Sequence, residues 1–445
     1  MKGHAMDAYC LEPHELPDLT IETLGPPTID YTERRGKCHF VQDSEKVLVY
    51  SDYDAFNAAK NNGNSSPMFE KAGLRRKIFF DPETLKCGIV TCGGLCPGLN
   101  DIVRTITLTL TWQYSIKTIF GFRYGYAGLS QEATAEPLLL NPEIVDEIHL
   151  KGGDILSSSR GPQDPERMID NLQKRDIGLL FCIGGDGTLR GAADLCRVIK
   201  QRNLTMSIIG VPKTIDNDIL GTERSFGFST AVEATRAAIG AAHAEAKGAW
   251  NGVALVKLMG RDCGFIAAYA TLANSDANFC FIPEVPLILE GQNGFLPLLE
   301  KRLDKRHHAV IVVAEGAGQN YTTDEHSRQT DASGNIIRGD IGLFMKQKIK
   351  QYFNDKQKHI ALKYIDPSYM IRSLPTDAND AAFCLMLGQN AVHAGMSGRT
   401  NMVVGYWNQY FTHFPISLAT MRRKKVDPNG DLWQTVLATT GQART

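Results

Sequence analysis

Six short apolar runs, each ending in a glycine-rich or polar turn, constrain this chain most: "CGIVTCGG", "IKTIFGFRYG", "IGLLFCIGGDG", "MSIIGVPKT", "GVALVKLMG" and "HAVIVVAEG". Runs of four to six apolar residues carry no polar alternation, so both faces of each strand must be covered. Parallel sheets meet that requirement. The stretches between them read as helices: "PGLNDIVRTITLTLTWQ", "TLRGAADLCRVIKQRN" and the alanine-rich "STAVEATRAAIGAAHAEAKG". Strand–helix alternation predicts an α/β protein with two Rossmann-like lobes built on mostly parallel sheets. The expected organisation is an N-terminal extension over 1–85, one α/β lobe over 86–245, a second lobe over 246–420 interleaved with it, and a C-terminal tail over 421–445. The extension is proline-dotted and has no sustained period, so it reads as lying over a core or over a neighbouring subunit.

Composition excludes some classes. The formal net charge is -1, so no global field favours nucleic acid or an anionic membrane, and an anionic ligand needs a local basic cluster. No run approaches the ~20 apolar residues of a spanning helix, and the first twenty residues lack an apolar signal core. Ten cysteines are scattered, many of them in apolar runs, which predicts buried thiols in a cytosolic protein. Cys92 and Cys96 share a glycine-rich loop, but a metal there would need more ligands nearby.

Three strand-to-helix junctions carry chemistry. In "TCGGLCPGLNDIVR", Gly93, Gly94 and Gly98 let the backbone approach a ligand, Asn100 or Asp101 is a candidate helix cap, and free amides at the helix start suit phosphate. In "LLFCIGGDGTLRGA", Asp186 stands among Gly184, Gly185 and Gly187, with Thr188 following. A helix cap is the simplest use of Asp186. Room for a polyphosphate beside one carboxylate is the better explanation of three glycines, because a hard cation such as Mg²⁺ takes one or two carboxylates plus phosphate oxygens. In "GVPKTIDNDILG", Lys213, Thr214, Asp216 and Asp218 crowd together. An Asx turn explains one acid, not this set. Phosphoryl transfer uses all of it: a point charge, a hydroxyl, a base that orients the nucleophile in Asp216, and a second acid in Asp218 that holds metal-bound water or tunes Asp216. Arg160 in a polar loop, Arg261 after a strand, and Lys363 and Arg372 in a loop-like stretch with Tyr369 supply the local cations the neutral whole lacks, and Glu315 stands at a strand end.

Taken together, "SSSRGPQD", "GGDGT", "PKTIDND", "MGRDCGF", "AEG" and "YIDPSYMIR" resemble the 6-phosphofructokinases, over roughly residues 86 to 420. The pattern looks most like the long ATP-using branch that carries an N-terminal extension. The resemblance implies transfer of a phosphoryl group to the 1-hydroxyl of fructose 6-phosphate, a step of glycolysis, with ATP as donor and Mg²⁺ as cofactor. It implies Asp216 as base, with Lys213, Thr214, Asp218 and Arg261 in the catalytic set and Asp186 associated with the metal. It implies Gly94, Arg160, Gly185, Asp186, Gly187, Thr188 and Gly191 on the donor side. It implies Thr214, Asp216, Met259, Gly260, Arg261, Glu315, Lys363, Tyr369 and Arg372 on the sugar-phosphate side. Members of the family are usually tetramers or dimers, which implies a homo-oligomer, a tetramer ahead of a dimer, in the cytoplasm. No effector site is matched.

Two departures stand out. Short bacterial members carry an arginine seven residues before the motif methionine, where this chain has Gly252, so Lys363 and Arg372 become candidates for the 6-phosphate. Pyrophosphate-using members typically carry a second acid after the motif aspartate and a lysine before TIDND. This chain has Gly187 and Lys213. A carboxylate at 187 would crowd the α-phosphate of ATP and glycine leaves room, so ATP is expected, with pyrophosphate as the alternative. Diacylglycerol- and NAD-kinase-like enzymes share GGDGT but are not expected to carry TIDND or MGRDCGF, and a non-catalytic effector-binding subunit is not expected to keep Asp216.

Overall fold

The computed structural model describes residues 16–31, 39–61, 66–130, 135–322, 330 and 337–442. They form two compact units. One comprises the chain up to Gly227 together with Ser373–Arg423; the other comprises Phe228–Arg372 and the segment from Lys424 onward.

The larger unit is built on a nine-stranded sheet. Its strands lie in the order Lys46–Leu48, Met68–Lys71, Tyr410–Pro415, Met402–Trp407, Ser207–Pro212, Ile177–Gly184, Lys86–Thr91, Thr118–Phe122 and Leu138–Leu139. The five from Met402–Trp407 to Thr118–Phe122 are parallel. They are the near-continuous apolar runs of the sequence, and Ile177–Gly184 buries all but one of its residues. Antiparallel strands close both edges. Helices Leu99–Leu108 and Ala378–Met396 pack together against the sheet, and Asp186–Gln201 packs on Ser207–Pro212 and Ile177–Gly184.

The register fixes where the loops emerge. Thr91 pairs with Ile183, and Gly184 pairs with Pro212. The glycine-rich turn after Thr91, the Gly185–Thr188 turn and the Lys213–Asp218 loop therefore leave one carboxyl edge side by side, where open α/β sheets place ligands.

The smaller unit holds four parallel strands in the order Phe279–Phe281, His308–Ala314, Gly252–Leu258 and Ala361–Ile365. Helices Phe228–Lys247, Phe265–Asn274, Phe295–Arg306 and Ile341–Asp355 pack on them or on each other. The division falls after Gly227, at the start of helix Phe228–Lys247, rather than near residue 245. That helix packs along three strands of the smaller sheet, and its buried side chains belong to that core.

Described stretches of the N-terminal extension and of the segment after residue 421 join the folded units. Two segments of the N-terminal extension extend the large sheet: Met68–Lys71 pairs onto Tyr410–Pro415, and Lys46–Leu48 pairs in turn onto Met68–Lys71. An ion cluster of the buried Arg75, Arg399 and His413 with Glu70 and the exposed Asp43 holds them. Glu70 accepts from Arg399, from His413 Nδ1 at 2.7 Å and from Arg75 at 3.4 Å, and Asp43 accepts from Arg399 at 2.6 Å and Arg75 at 3.0 Å. The segment after residue 421 is no loose tail either: Lys424 and Val426 are buried, and helix Asp431–Thr440 buries Trp433 and Val436.

Burial pushes the His413 imidazole down to about 4, beyond the upward pull of Glu70. Burial would raise the Glu70 carboxyl, but His413 and Arg399 together hold it well below the usual carboxylate range. Both signs point the same way: an unfolded chain takes up protons on His413 below roughly pH 6.5 and on Glu70 below roughly pH 4.3, before the folded one does. Stability is therefore expected to fall as pH drops from about 6.5 toward 4. His413→Gln removes the upper part of that slope, and thermal melts across this range check it. Glu70→Gln is expected to cost about 3–5 kcal/mol, because it leaves two buried arginines short of a counter-charge.

Candidate active site

The Lys213–Asp218 loop is stapled from within. Asn217 adopts a left-handed conformation, φ 55°, which asparagine tolerates better than most residues. Its Oδ1 accepts from Ser225 N at 2.9 Å, its Nδ2 donates to Glu223 O at 3.1 Å, and Ser225 Oγ donates to Thr214 O at 2.6 Å. This accounts for the asparagine between the two acids: it closes the loop so that both carboxylates are held on a fixed backbone. Thr214 Oγ1 donates to Asp218 Oδ1 at 2.6 Å and accepts from Asp216 N at 3.2 Å. The Thr214 hydroxyl thus works inside the loop.

Lys213 is buried, and its Nζ donates to Gly94 O at 2.6 Å. The ammonium so joins the TIDND loop to the glycine-rich turn. A Cβ at Gly93 would stand 3.2 Å from Nζ. Gly98, φ 99°, starts helix Leu99–Leu108, and a Cβ there would meet Cys384 Sγ and the Phe226 ring at 2.8 Å. The expected cap by Asn100 or Asp101 is not what forms: no side chain caps this helix. Asn100 instead holds the neighbouring loop, donating to Lys151 O at 3.0 Å and accepting from Ile155 N at 2.9 Å. Asp101 accepts from Thr376 at 3.1 Å. Cys92 and Cys96 are buried thiols, each pushed up to about 12 by burial, and no group of three metal-ligating side chains occurs among the described residues.

Asp186 is the first residue of helix Asp186–Gln201 and caps nothing. Both its oxygens face Arg190 Nε, at 3.1 and 3.2 Å, and Arg190 also donates to Thr420 O at 2.8 Å. Sequence reasoning missed Arg190, although its i+4 spacing from Asp186 signals the pair. A half-exposed pair of this kind is worth about 0–1 kcal/mol, so the carboxylate can change partners cheaply. Around Gly187 there is open space: apart from its own helix backbone and chain neighbours, no atom of the described residues lies within 4 Å of where a Cβ would stand. One accessible carboxylate beside an open cradle suits a Mg²⁺ whose other ligands are phosphate oxygens and water. Thr188 is buried, and its carbonyl accepts from Tyr126 at 2.7 Å. Gly191 lies against the Tyr126 ring, where a Cβ would sit 2.5 Å away, so its glycine serves helix packing. Arg160 is exposed.

The sugar-phosphate candidates of the MGRDCGF, AEG and YIDPSYMIR motifs all lie in the smaller unit. Met259, Gly260 and Arg261 follow strand Gly252–Leu258, and Glu315 follows His308–Ala314. The turns are joined by Glu315 N to Leu258 O at 2.9 Å and Gly316 N to Gly260 O at 3.0 Å. Burial raises the Glu315 carboxyl, against the nearby charges of Arg261, Lys257 and Arg338. The last two were missed by sequence reasoning. Arg338 donates to Arg261 O and Asp262, and Lys257 bridges Asp340 at 3.0 Å and Asp366 at 2.8 Å. The Arg372 guanidinium lies 4.8 Å over the Tyr369 ring, and its Nε is buried with no hydrogen-bond partner among the described residues. Lys363 sits in mid-strand opposite Ala254, largely exposed and 3.7 Å from Glu245. The glycine at 252 has a steric cause: a Cβ there would stand 1.9 Å from Ala246 O, so no arginine fits.

Residues 86–395 match the family Phosphofructokinase. An ATP-dependent 6-phosphofructokinase of Borreliella burgdorferi is 47% identical over 438 residues, covering 96% of this chain and 97% of its own. One of Trypanosoma brucei brucei is 44% identical, covering 94% and 86%. The crystal structure of a pyrophosphate-dependent phosphofructokinase from Marinobacter aquaeolei superposes with a TM-score of 0.64 at 20% identity, over 80% of this chain and 91% of that one, a likeness of fold. The chain belongs to the phosphofructokinase family. No helix among the described residues is long and apolar enough to cross a membrane.

Proposed function

We propose that this protein phosphorylates fructose 6-phosphate at O1 with ATP as donor, as a cytoplasmic homo-oligomer, a tetramer ahead of a dimer. The observation that carries the reading is the shared carboxyl edge of three neighbouring parallel strands, from which the Gly94, Asp186 and Asp216 turns emerge in register. The donor phosphates are assigned to the amides and space around Gly94, Gly185, Gly187 and Thr188, with Lys213 and Arg160 as cations. Asp186 would hold Mg²⁺, which supplies charge neutralisation on the polyphosphate. Asp216 takes the proton of the attacking hydroxyl, and Thr214 and Asp218 hold the loop that aims it. Binding of the sugar phosphate is assigned to Met259, Gly260, Arg261, Glu315, Tyr369 and Arg372, with Lys363 as the more peripheral cation.

Initial rates with fructose 6-phosphate and Mg²⁺, comparing ATP with pyrophosphate, test the reading. Turnover with ATP is expected. Turnover with pyrophosphate alone would reverse the donor assignment, and turnover with neither would reject the activity. Arg372→Ala is expected to raise the fructose 6-phosphate KM by about 10–100-fold, the range for one charge-assisted hydrogen-bonding group, with little change in the ATP KM. The opposite ranking, read from the same saturation curves, would place Arg372 with the donor.

A further inference from the structure

The carboxylate beside the candidate base is held from a distant part of the chain. Arg423 Nη1 lies 3.2 Å from Asp218 Oδ2, while Asp218 Oδ1 takes the Thr214 hydroxyl at 2.6 Å. Both oxygens of this buried carboxylate are thereby occupied. The arginine is itself located by its backbone, because Arg423 and Ile219 form an antiparallel bridge. The result is a chain of contacts from Arg423 to Asp218, from Asp218 to Thr214 Oγ1, and from Thr214 Oγ1 to the amide of Asp216 at 3.2 Å.

We infer that Arg423 is a positioning residue for the phosphoryl-transfer loop: it neutralises Asp218 and sets the Thr214 hydroxyl that orients Asp216. The physical argument is one of charge and geometry. Asp216 and Asp218 are two acids two residues apart, and a buried carboxylate without a counter-ion repels its neighbour and seeks another partner. A guanidinium on Asp218 removes both tendencies. It also leaves Thr214 as a donor to Asp218, which turns the threonine lone pairs toward the Asp216 amide. Small displacements at a reacting centre are costly, about a hundredfold for ~1 Å, so a group that only orients the base still governs turnover.

This rests on the assignment of Asp216 as the base in the proposed reaction. Arg423→Gln is expected to lower kcat by about 10–100-fold, with the KM values for fructose 6-phosphate and ATP changed by less than about threefold, since the residue acts through the loop rather than on substrate. Arg423→Lys, which retains the charge, is expected to restore kcat to within about fivefold of the parent. In an Asp218→Asn background, Arg423→Gln is expected to cost less than about twofold, because no buried charge is left to compensate. Thermal melts of the parent, Arg423→Gln, Asp218→Asn and the double variant read the Arg423–Asp218 coupling independently of turnover. The drop in Tm caused by Arg423→Gln should largely vanish when Asp218 is asparagine. Additive effects in both kcat and Tm, or a KM rise at constant kcat, would overturn the inference. If the parent protein turned over no fructose 6-phosphate with either donor, the reaction assignment would fall, while the Tm cycle would still decide whether the pair is coupled.

Discussion

Asp216→Ser is expected to lower kcat with fructose 6-phosphate and ATP by about 10²–10⁴-fold, the range for losing a general base, or about 2.7–5.4 kcal/mol of barrier. The loop should survive the change. Its conformation is held by Asn217, Ser225 and the Thr214 hydroxyl, and the Asp216 backbone amide that donates to Thr214 is present in serine too. The sugar KM should therefore move little, because most of the sugar-phosphate contacts are assigned to residues of the smaller unit. Steady-state kinetics of the purified variant, with a thermal melt to show that it is folded, checks both halves. Turnover within about threefold of the parent would remove Asp216 from the role of base.

Gly187→Asp is expected to reduce kcat/KM for ATP by about a hundredfold and to harm pyrophosphate use far less. Apart from its own helix backbone and chain neighbours, a Cβ at 187 meets no atom of the described residues within 4 Å, and aspartate is acceptable in the first turn of a helix. The fold should tolerate the substitution, so the loss reports on the ligand. The new carboxylate occupies the open space and repels the α-phosphate, which pyrophosphate lacks. Two such charges ~4 Å apart interact by roughly 4 kcal/mol at an effective dielectric near 20, more than enough for a hundredfold. Equal losses with both donors would argue that Gly187 does not discriminate between them.

Much of the larger sheet could be read from the chain directly. Ile177–Gly184 and Ser207–Pro212 are continuous apolar runs stopped by glycine or proline, and such runs are stable only where helices cover both faces. The turns after them stood out because a single local turn does not need aspartates, a lysine, a threonine and several glycines together. Met68–Lys71 was illegible. It becomes a strand only because Tyr410–Pro415 offers an unpaired edge and because Arg399 and His413 meet Glu70, contacts spanning more than three hundred residues. Asn100 misled for a related reason. Its place at a helix start suggested a cap, whereas Lys151 and Ile155 offered it a carbonyl and an amide that local pattern cannot reveal.

Sequence by itself determined the parallel α/β class, the three glycine-rich or acidic turns that follow its strands and the acid pair, because backbone freedom at glycine and the alternation of apolar runs are local properties. Tertiary structure alone decided how those groups are held. Lys213 is tied to Gly94, Asp218 to Arg423 and Glu70 to Arg399. Which partner a charge finds depends on strand register and on the return of the chain from residue 373 to 423. Neither is encoded within reach of the residues it controls.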